Sequence, residues 1–341
     1  MSDLVRLLIN GREFTGWTAA TISMSIDNCA DAFSLTAPFD PSDPAVKAAF
    51  VPRKYQDVQV LIGDDVVLTG RVEKVAPHTG PDGRTLNVQG RSLTGQLVDC
   101  SIDGPLEYSG MTLAAIARKI ARPFGVAVRA DADTPAIEIA SAKFGQPPYD
   151  FLASLAGPRN MLLNSSYEGQ LVITDGRALA KRDPIATLIE GKPPLLSVDP
   201  DFDSTACFSY YKVSSQQDGF SDVSGRVDDS TITRYRPRLI EQDDAGTDPK
   251  LAASWERSKA FADSMTVGVQ ISGWRRPDGK RWAERQLITL QAPGAMLSRE
   301  SKWLIAGVTH KMDADSGQTT ALRLIVPETY AGTIPRTLPW D

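Results

Sequence analysis

Two histidines, a serine set between glycines, a run of alternating aspartates and three cysteines are the residues in this 341-residue chain whose types and spacing could support chemistry. Histidine is the commonest general base. Here His78 follows Pro77 at an expected strand end beside the Gly80 to Gly83 turn, and His310 falls on an expected strand. Exposed strand-end polar positions account for both more simply than catalysis. Gly90-Arg91-Ser92-Leu93-Thr94-Gly95 resembles the nucleophile elbow G-x-S-x-G but has one residue too many before its second glycine. The elbow also needs a strand-turn-helix setting in a parallel sheet, and the surroundings read as antiparallel, so Gly90 is expected to end a strand and Ser92 to act as a cap or turn residue. Asp199, Asp201 and Asp203 alternate like the opening of a calcium loop, yet the positions that need glycine and glutamate hold Ser204 and Tyr210. Cys29, Cys100 and Cys207 are far apart, odd in number and form no C-x-x-C. They fit a reducing compartment better than a disulfide framework. No P-loop, H-E-x-x-H or zinc spacing occurs. A glycosidase needs two carboxylates flanking a cleft, and none of the 42 acidic residues stands out as a pair. No catalytic, cofactor-binding or metal-binding residue is therefore assigned, and no cofactor is expected.

The elements that would have to position any site come from a chain of ordinary globular composition, 42% hydrophobic and 23% charged. Its length favours two or three domains. The formal net charge is -5 and the positive charges form no run, which argues against binding nucleic acid through its phosphates. The start, Met1-Ser2-Asp3-Leu4-Val5-Arg6, does not read as a signal peptide, and no apolar stretch approaches the eighteen residues of a membrane span.

Most of the chain reads as strands. Ile22, Met24 and Ile26 alternate with polar residues over Thr21 to Asp27, as do Phe33, Leu35 and Ala37 over Phe33 to Ala37. Period two with one polar face marks half-buried antiparallel strands. Val58 to Ile62 and Val66 to Val75 follow, split by Gly63-Asp64-Asp65, with Pro81-Asp82-Gly83 as a further turn before Leu86 to Val88. Asp43 and Pro44 start a short helix that runs to Phe50. In the middle, Thr112 caps a helix whose Leu113, Ile116, Ala117 and Ile120 share one face, stopped by Pro123 and Gly125. A second helix begins near Pro148 with Phe151, Leu152 and Leu155 inward, and Gly169 to Thr174 reads as a strand. Pro193-Pro194 and Asp199 to Asp203 read as a linker. Strands return at Phe208 to Val213, Val267 to Ile271, Leu287 to Leu290, Trp303 to Met312 and Ala321 to Val326. One helix interrupts them, capped by Asp248 with Pro249 at its first position and Leu251, Trp255 and Ala262 on its buried side.

The fold class expected is mainly β with an α+β insert: two similar small antiparallel β-barrel domains plus a small α+β domain. The divisions fall at 1–100 (barrel), 101–195 (α+β), 196–330 (second barrel, with a helix over 248–265) and a C-terminal tail at 331–341. The likeness of the barrels rests on a weak repeat. Val58 to Val60, Leu68 to Val72 and Leu86 to Val88 form one series; Leu287 to Leu290, Ile305 to Val308 and Leu322 to Leu324 form the other. Gly70 and Gly307 stand at nearly equal spacing from the next strand. Either two barrels are related, or β-meanders simply look alike.

Four segments, taken in order, resemble the phage Mu-type baseplate hub family. They are Gly16-Trp17 with Ile22 to Leu35; Val88-Gln89-Gly90-Arg91-Ser92-Leu93-Thr94-Gly95-Gln96-Leu97-Val98-Asp99-Cys100-Ser101, similar to G-R-S-x-T-x-D-L-V-D-C-S except at Gln96; Pro123-Phe124-Gly125-Val126; and Val269 to Arg276 with Gly279 and Trp282, similar to V-x-G-W-R except for Ser272. Such hubs resemble the N-terminal half of type VI secretion spike proteins. The resemblance implies a virion structural protein of a contractile tail or injection system, located in the baseplate and made in the host bacterial cytoplasm. It implies a homotrimer whose two barrels per chain form a near-sixfold ring, a symmetry adaptor between the tail tube and the central spike protein, beside other baseplate proteins. DNA would pass through without specific binding, which the acidic balance suits, and no insertion into a membrane is expected. Arg91, Asp99, Trp274 and Arg275 are the candidate packing or inter-subunit residues, since Trp and Arg are enriched in interfaces; alternatively Trp274 is core and Arg275 an exposed strand residue. The competing functions are a tail-associated peptidoglycan hydrolase, which wants an acid-base constellation, and a carbohydrate-binding host-recognition module, which wants an aromatic platform.

Overall fold

The computed structural model describes residues 3–81, 83–217, 221–242, 248–331 and 333. Asp82 of the expected turn and most of the 331–341 tail lie outside them. The chain is mainly β with a few helices, the longest being Pro249–Asp263, as the periodicity implies.

The N-terminal β unit lays its strands in the order Ala19–Ser25, Ala32–Pro38, Gly83–Ser92, Asp65–Gly80, Asp57–Ile62, Val5–Ile9 and Arg12–Phe14, all antiparallel. Residues alternate in and out along Ala19–Ser25 and Ala32–Pro38, so Ile22, Phe33 and Leu35 reach a core shared with Val60, Ile62 and Val88. The Asp43 carboxylate accepts from the Ala45 amide at 2.7 Å and starts the helix Pro44–Ala49.

The middle unit holds the two expected helices, Leu113–Ala121 and Pro148–Ala156. Thr112 accepts from the Ala115 amide at 3.2 Å, and Leu113, Ile116, Ala117 and Ile120 meet Phe151, Leu152 and Leu155 in one core. Two small sheets flank them. Glu107–Thr112 pairs with Ala136–Ser141, while Leu171–Asp175 lies between Met161–Ser165 and Val128–Ala130.

The C-terminal β unit consists of Pro184–Ile189, Leu195–Phe202, Met265–Ser272, Leu287–Ala292, Leu297–Asp313 and Gly317–Ile325 around a separate core with Trp282 and Trp303. Pro184–Ile189 runs parallel to Leu287–Ala292, the exception in an otherwise antiparallel unit. The divisions at 100, 195 and 330 remain a proposal, with one amendment that this pairing requires: we propose that the middle unit ends before Pro184.

Three expectations change. Asp199 to Asp203 is not a linker: Leu195–Phe202 is a strand, paired residue by residue with Met265–Ser272. It ends the path of the sheet, and an edge strand with one wet face tolerates aspartates and Pro200. Phe208 to Val213 does not join the C-terminal unit's sheet. Tyr210–Gln217 forms its own sheet with Ser221–Asp228 and Pro237–Gln242, under the helix Pro249–Asp263. That helix is capped by Asp248 as expected, but Leu251 is exposed and its buried side is Ala252, Ala253, Ser258, Phe261 and Ala262. The reason is close approach. A Cβ on Gly225 would lie 2.2 Å from the Lys250 amide nitrogen, so only small residues fit beneath the helix start.

The repeat is present in the ladders. Ala19–Ser25, Ala32–Pro38, Gly83–Ser92, Asp65–Gly80 and Asp57–Ile62 stand in the same order and sense as Leu195–Phe202, Met265–Ser272, Gly317–Ile325, Leu297–Asp313 and Leu287–Ala292. The fourth strand in sequence carries one extra residue in both, Glu73 between Val72 and Lys74 and Ala306 between Ile305 and Gly307. The Val72 amide donates to Gln56 O and the Ile305 amide to Gln286 O, each at 2.9 Å. Val72 and Ile305 are thus equivalent, and the glycine spacing misleads: Gly307 corresponds to Lys74, not to Gly70.

Core volume follows the repeat. Phe33 faces Gly90 in one unit, and Val267 faces Leu324 at the matching place in the other. A Cβ on Gly90 would sit 2.0 Å from Arg71 O and 2.7 Å from the Phe33 ring. Gly90→Ala is therefore expected to lower stability by about 1–3 kcal/mol, the usual cost of overpacking, read as a lower urea midpoint with an unchanged slope; a midpoint equal to the parent's would contradict the packing.

Candidate assembly site at the junction of the β units

The two β units share backbone hydrogen bonds. Ala20 to Ser25 pairs antiparallel with Gly307 to Met312, Ile22 opposite His310 and Ser25 opposite Gly307. One face of this junction is polar, with the Ser23 and Thr309 hydroxyls 3.2 Å apart. The other is closed, carrying Ile22, Met24, Val308 and His310.

His310 is fully buried, which corrects its reading as an exposed strand-end residue; His78 is exposed. The His310 Nδ1 lies 3.1 Å from the Thr320 hydroxyl, and its ring centroid lies 5.9 Å from that of Trp274. Burial, with the Arg281 charge second, pushes its pKa down to about 3. A neutral imidazole at this depth serves as core. Ser92 is also buried: its hydroxyl donates to Cys29 O at 3.2 Å and lies 2.8 Å from the Thr94 hydroxyl. The Cys29 thiol is pushed up to about 12 by burial first and Asp31 second, far from a thiolate nucleophile. Among the described residues no group of three or more His, Cys, Asp or Glu could hold a metal ion.

The four candidate residues separate into a core tryptophan and two ion-pair clusters. Trp274 is buried in the core of the N-terminal unit, although it belongs by sequence to the C-terminal one. Its Nε1 donates to Lys311 O and Thr319 O at 3.0 Å each. Arg275 follows it outward. Its guanidinium meets Asp3 at 2.7 Å and Asp65 at 3.1 Å and donates to Gly279 O at 2.9 Å. Arg281 reaches the same Asp65 at 3.3 Å. The segment from Gly273 to Trp282 thereby clasps the N-terminal unit with an indole inside and two guanidinium groups outside.

Arg91 and Asp99 do meet, within one chain. Arg91 forks onto Glu73 at 2.7 and 3.0 Å and onto Asp99, one of whose contacts is 3.1 Å. The carboxylates raise the Arg91 pKa, and Arg91 holds the Asp99 carboxyl below the usual range. Glu73, the bulged residue, was not readable as a partner because it is remote in sequence and carries no motif. Asp27 was missed for the same reason. It accepts from Arg323 and from the Tyr330 hydroxyl, while its carbonyl accepts from the Tyr149 hydroxyl at 2.8 Å. One corner thus ties the N-terminal, middle and C-terminal units. These arrangements fix orientation. Each exposed pair contributes little alone; what they share is that each joins segments remote in sequence.

The chain is similar to known phage tail and baseplate proteins. The family model for Mu phage baseplate assembly protein GpP-like, N-terminal, matches residues 4–92, and that for baseplate hub protein gp44-like, second domain, matches residues 94–175. The baseplate hub protein gp44 of Escherichia phage Mu is 29% identical over 349 residues, spanning 97% of this chain and 89% of that one. The crystal structure of the 43 kDa tail protein of prophage MuSo2 from Shewanella oneidensis is 30% identical, with a TM-score of 0.82 over 96% of this chain and 99% of that one. The tail protein from Neisseria meningitidis MC58, 20% identical, shares the fold at a TM-score of 0.85 over 97% and 99% of the two chains.

The buried imidazole gives a pH signature. Its folded pKa of about 3 lies below the ordinary 6.5, so the unfolded chain binds the extra proton. Its contribution to stability is complete above pH 6.5 and is lost progressively as the pH falls toward 3. His310→Gln is expected to remove about one proton from the uptake on unfolding between about pH 5.5 and 4, measured as the difference in the slope of stability against pH. An unchanged slope would rule out a buried neutral His310.

Proposed function

This chain belongs to the phage Mu-type baseplate hub family and is a structural component of the tail baseplate, and we propose that three copies form a ring of near-sixfold symmetry joining the tail tube to the central spike. The observation that carries the reading is the five-strand unit occurring twice in one polypeptide. A trimer with one such unit per chain offers three equivalent docking faces; with two it offers six. Head-to-tail contacts between unlike edges close into a ring when the rotation permits. The spike, the tube and the neighbouring baseplate proteins are the proposed partners, on the strength of the resemblance.

The net charge of -5 supports a lumen that lets DNA pass without holding it. The protein is a virion component; its synthesis and assembly in the host cytoplasm are part of the proposal, as is the lack of enzymatic activity. Arg91, Asp99 and Arg275 are proposed to set the unit edges that neighbouring copies meet, while Trp274 acts from the core.

A solution molar mass three times 36.9 kDa is expected by light scattering; a single-copy mass at every concentration would refute the ring. Cell-wall zymograms are expected to show no clearing, and a cleared band would restore the hydrolase reading. Arg275→Ala is expected to weaken the trimer, and an unchanged mass would remove that residue from the assembly.

A further inference from the structure

The equivalence of the units reaches two strand edges along which no further ladder forms among the described residues. In the N-terminal unit the outer edge of Ala19–Ser25 is filled by Gly307 to Met312. In the C-terminal unit the equivalent strand, Leu195–Phe202, pairs with Met265–Ser272 on one side, and no ladder is formed on the other. The strand equivalent to Leu297–Asp313 is Asp65–Gly80. Its residues Asp65 to Arg71 pair with Asp57–Ile62, and Lys74 to Gly80 pair with Gly83–Ser92 alone. Each chain therefore carries one copy of the junction made and both halves of a second copy unmade.

Resting on the ring reading, we propose that Leu195–Phe202 of one copy, with Asp203 just beyond it, adds antiparallel to Lys74 to Thr79 of the next, repeating between chains the junction that Ala20 to Ser25 makes with Gly307 to Met312 within one. The register follows from the ladders. Ile22 faces Phe33 and Phe33 faces Gly90; Pro200 faces Val267 and Val267 faces Leu324. Gly90 and Leu324 face Val72 and Ile305, the equivalent pair. Ile22 thus corresponds to Pro200, and His310, past the bulge, to Pro77. Asp203 then stands opposite Lys74, Asp201 opposite Ala76 and Asp199 opposite His78. On the other face Phe202 meets Val75, and Val198 meets Thr79.

The chemistry of the two edges fits this register. Asp199, Asp201 and Asp203 are exposed and share one face of the strand; Lys74 and His78 are exposed and share the face they would meet. Phe202 is 37% exposed on the opposite face, where its intrachain counterpart Met24 is buried against Val308. The alternation of a polar and an apolar face is the one seen at the junction already formed.

The prolines set the strength of the contact. The Ile26 amide donates to Ala306 O, and since hydrogen-bonded pairs alternate along an antiparallel ladder, Ile22 and His310 form such a pair. Pro77 and Pro200 occupy the matching places and have no N–H to give. The interchain ladder has fewer bonds than the intrachain one, so the edges are blunted against uncontrolled sheet growth and lean on the charge pairs.

Cysteine cross-linking tests the register. Position 76 opposite 201 would be a non-hydrogen-bonded pair, the closer kind, within disulfide reach. Cys29 and Cys207 are buried, so replacing the exposed Cys100 by serine leaves a quiet background. In that background Ala76→Cys with Asp201→Cys is expected to oxidise to a reducible, covalently closed trimer. Ala76→Cys with Ser197→Cys, on the same face but four residues out of register, is expected to stay mostly unlinked. A threefold mass with no preference for the first pair overturns this junction and leaves the ring standing. A single-copy mass without cross-links overturns both. As a second reading, Lys74→Glu is expected to weaken the trimer and Asp203→Lys in the same chain to restore it; no restoration counts against the pairing of these two residues.

Discussion

Backbone amides and carbonyls along the first strand of each β unit must find partners or stay wet, and the architecture is arranged around that requirement. In the N-terminal unit the C-terminal unit supplies the partner, by extending its longest strand, Leu297–Asp313, past the bulge at Ala306. The extra residue bends the strand and lets its two halves serve different neighbours on one side. Leu297 to Leu304 faces Leu287–Ala292, and Gly307 to Met312 faces the other unit. Two curled sheets become one continuous path without merging their cores.

Side chains then fix an orientation that the ladder alone would leave free to twist. Trp274 crosses into the neighbouring core, and Arg275 and Arg281 converge on Asp65 from outside. Asp27 gathers Arg323, Tyr330 and Tyr149 at the opposite end of Ala19–Ser25. Partly exposed ion pairs add little to stability one at a time, and here they tie together segments that lie far apart in the sequence. The middle unit and the helix Pro249–Asp263 hang from this frame.

Local signals were legible in the sequence. Asp43-Pro44, Thr112 and Asp248-Pro249 start helices where caps should, and period two located the strands that line each core. Charge composition misled at Asp199 to Asp203, because an edge strand with one wet face looks like a linker. Size misled at Leu251, because the depth of the helix is set by Gly225 on another element. His310 was unreadable as core, since its burial depends on strands from both ends of the chain. The repeat was visible but out of phase, because the bulges at Glu73 and Ala306 break the simple count from glycine to strand. Asp27 and Glu73 gave no signal, as their partners are joined to them only by the fold.

The junction between the units also sets a timetable. Ser23 and Thr309, which touch across it, are 286 positions apart. At a translation rate of ~5–20 residues per second the first strand would wait roughly 15–60 s for its partner to leave the ribosome. Throughout that interval the nascent chain carries an open strand edge of the kind that pairs with other chains, so the delivery time of its last third is itself an exposure to aggregation.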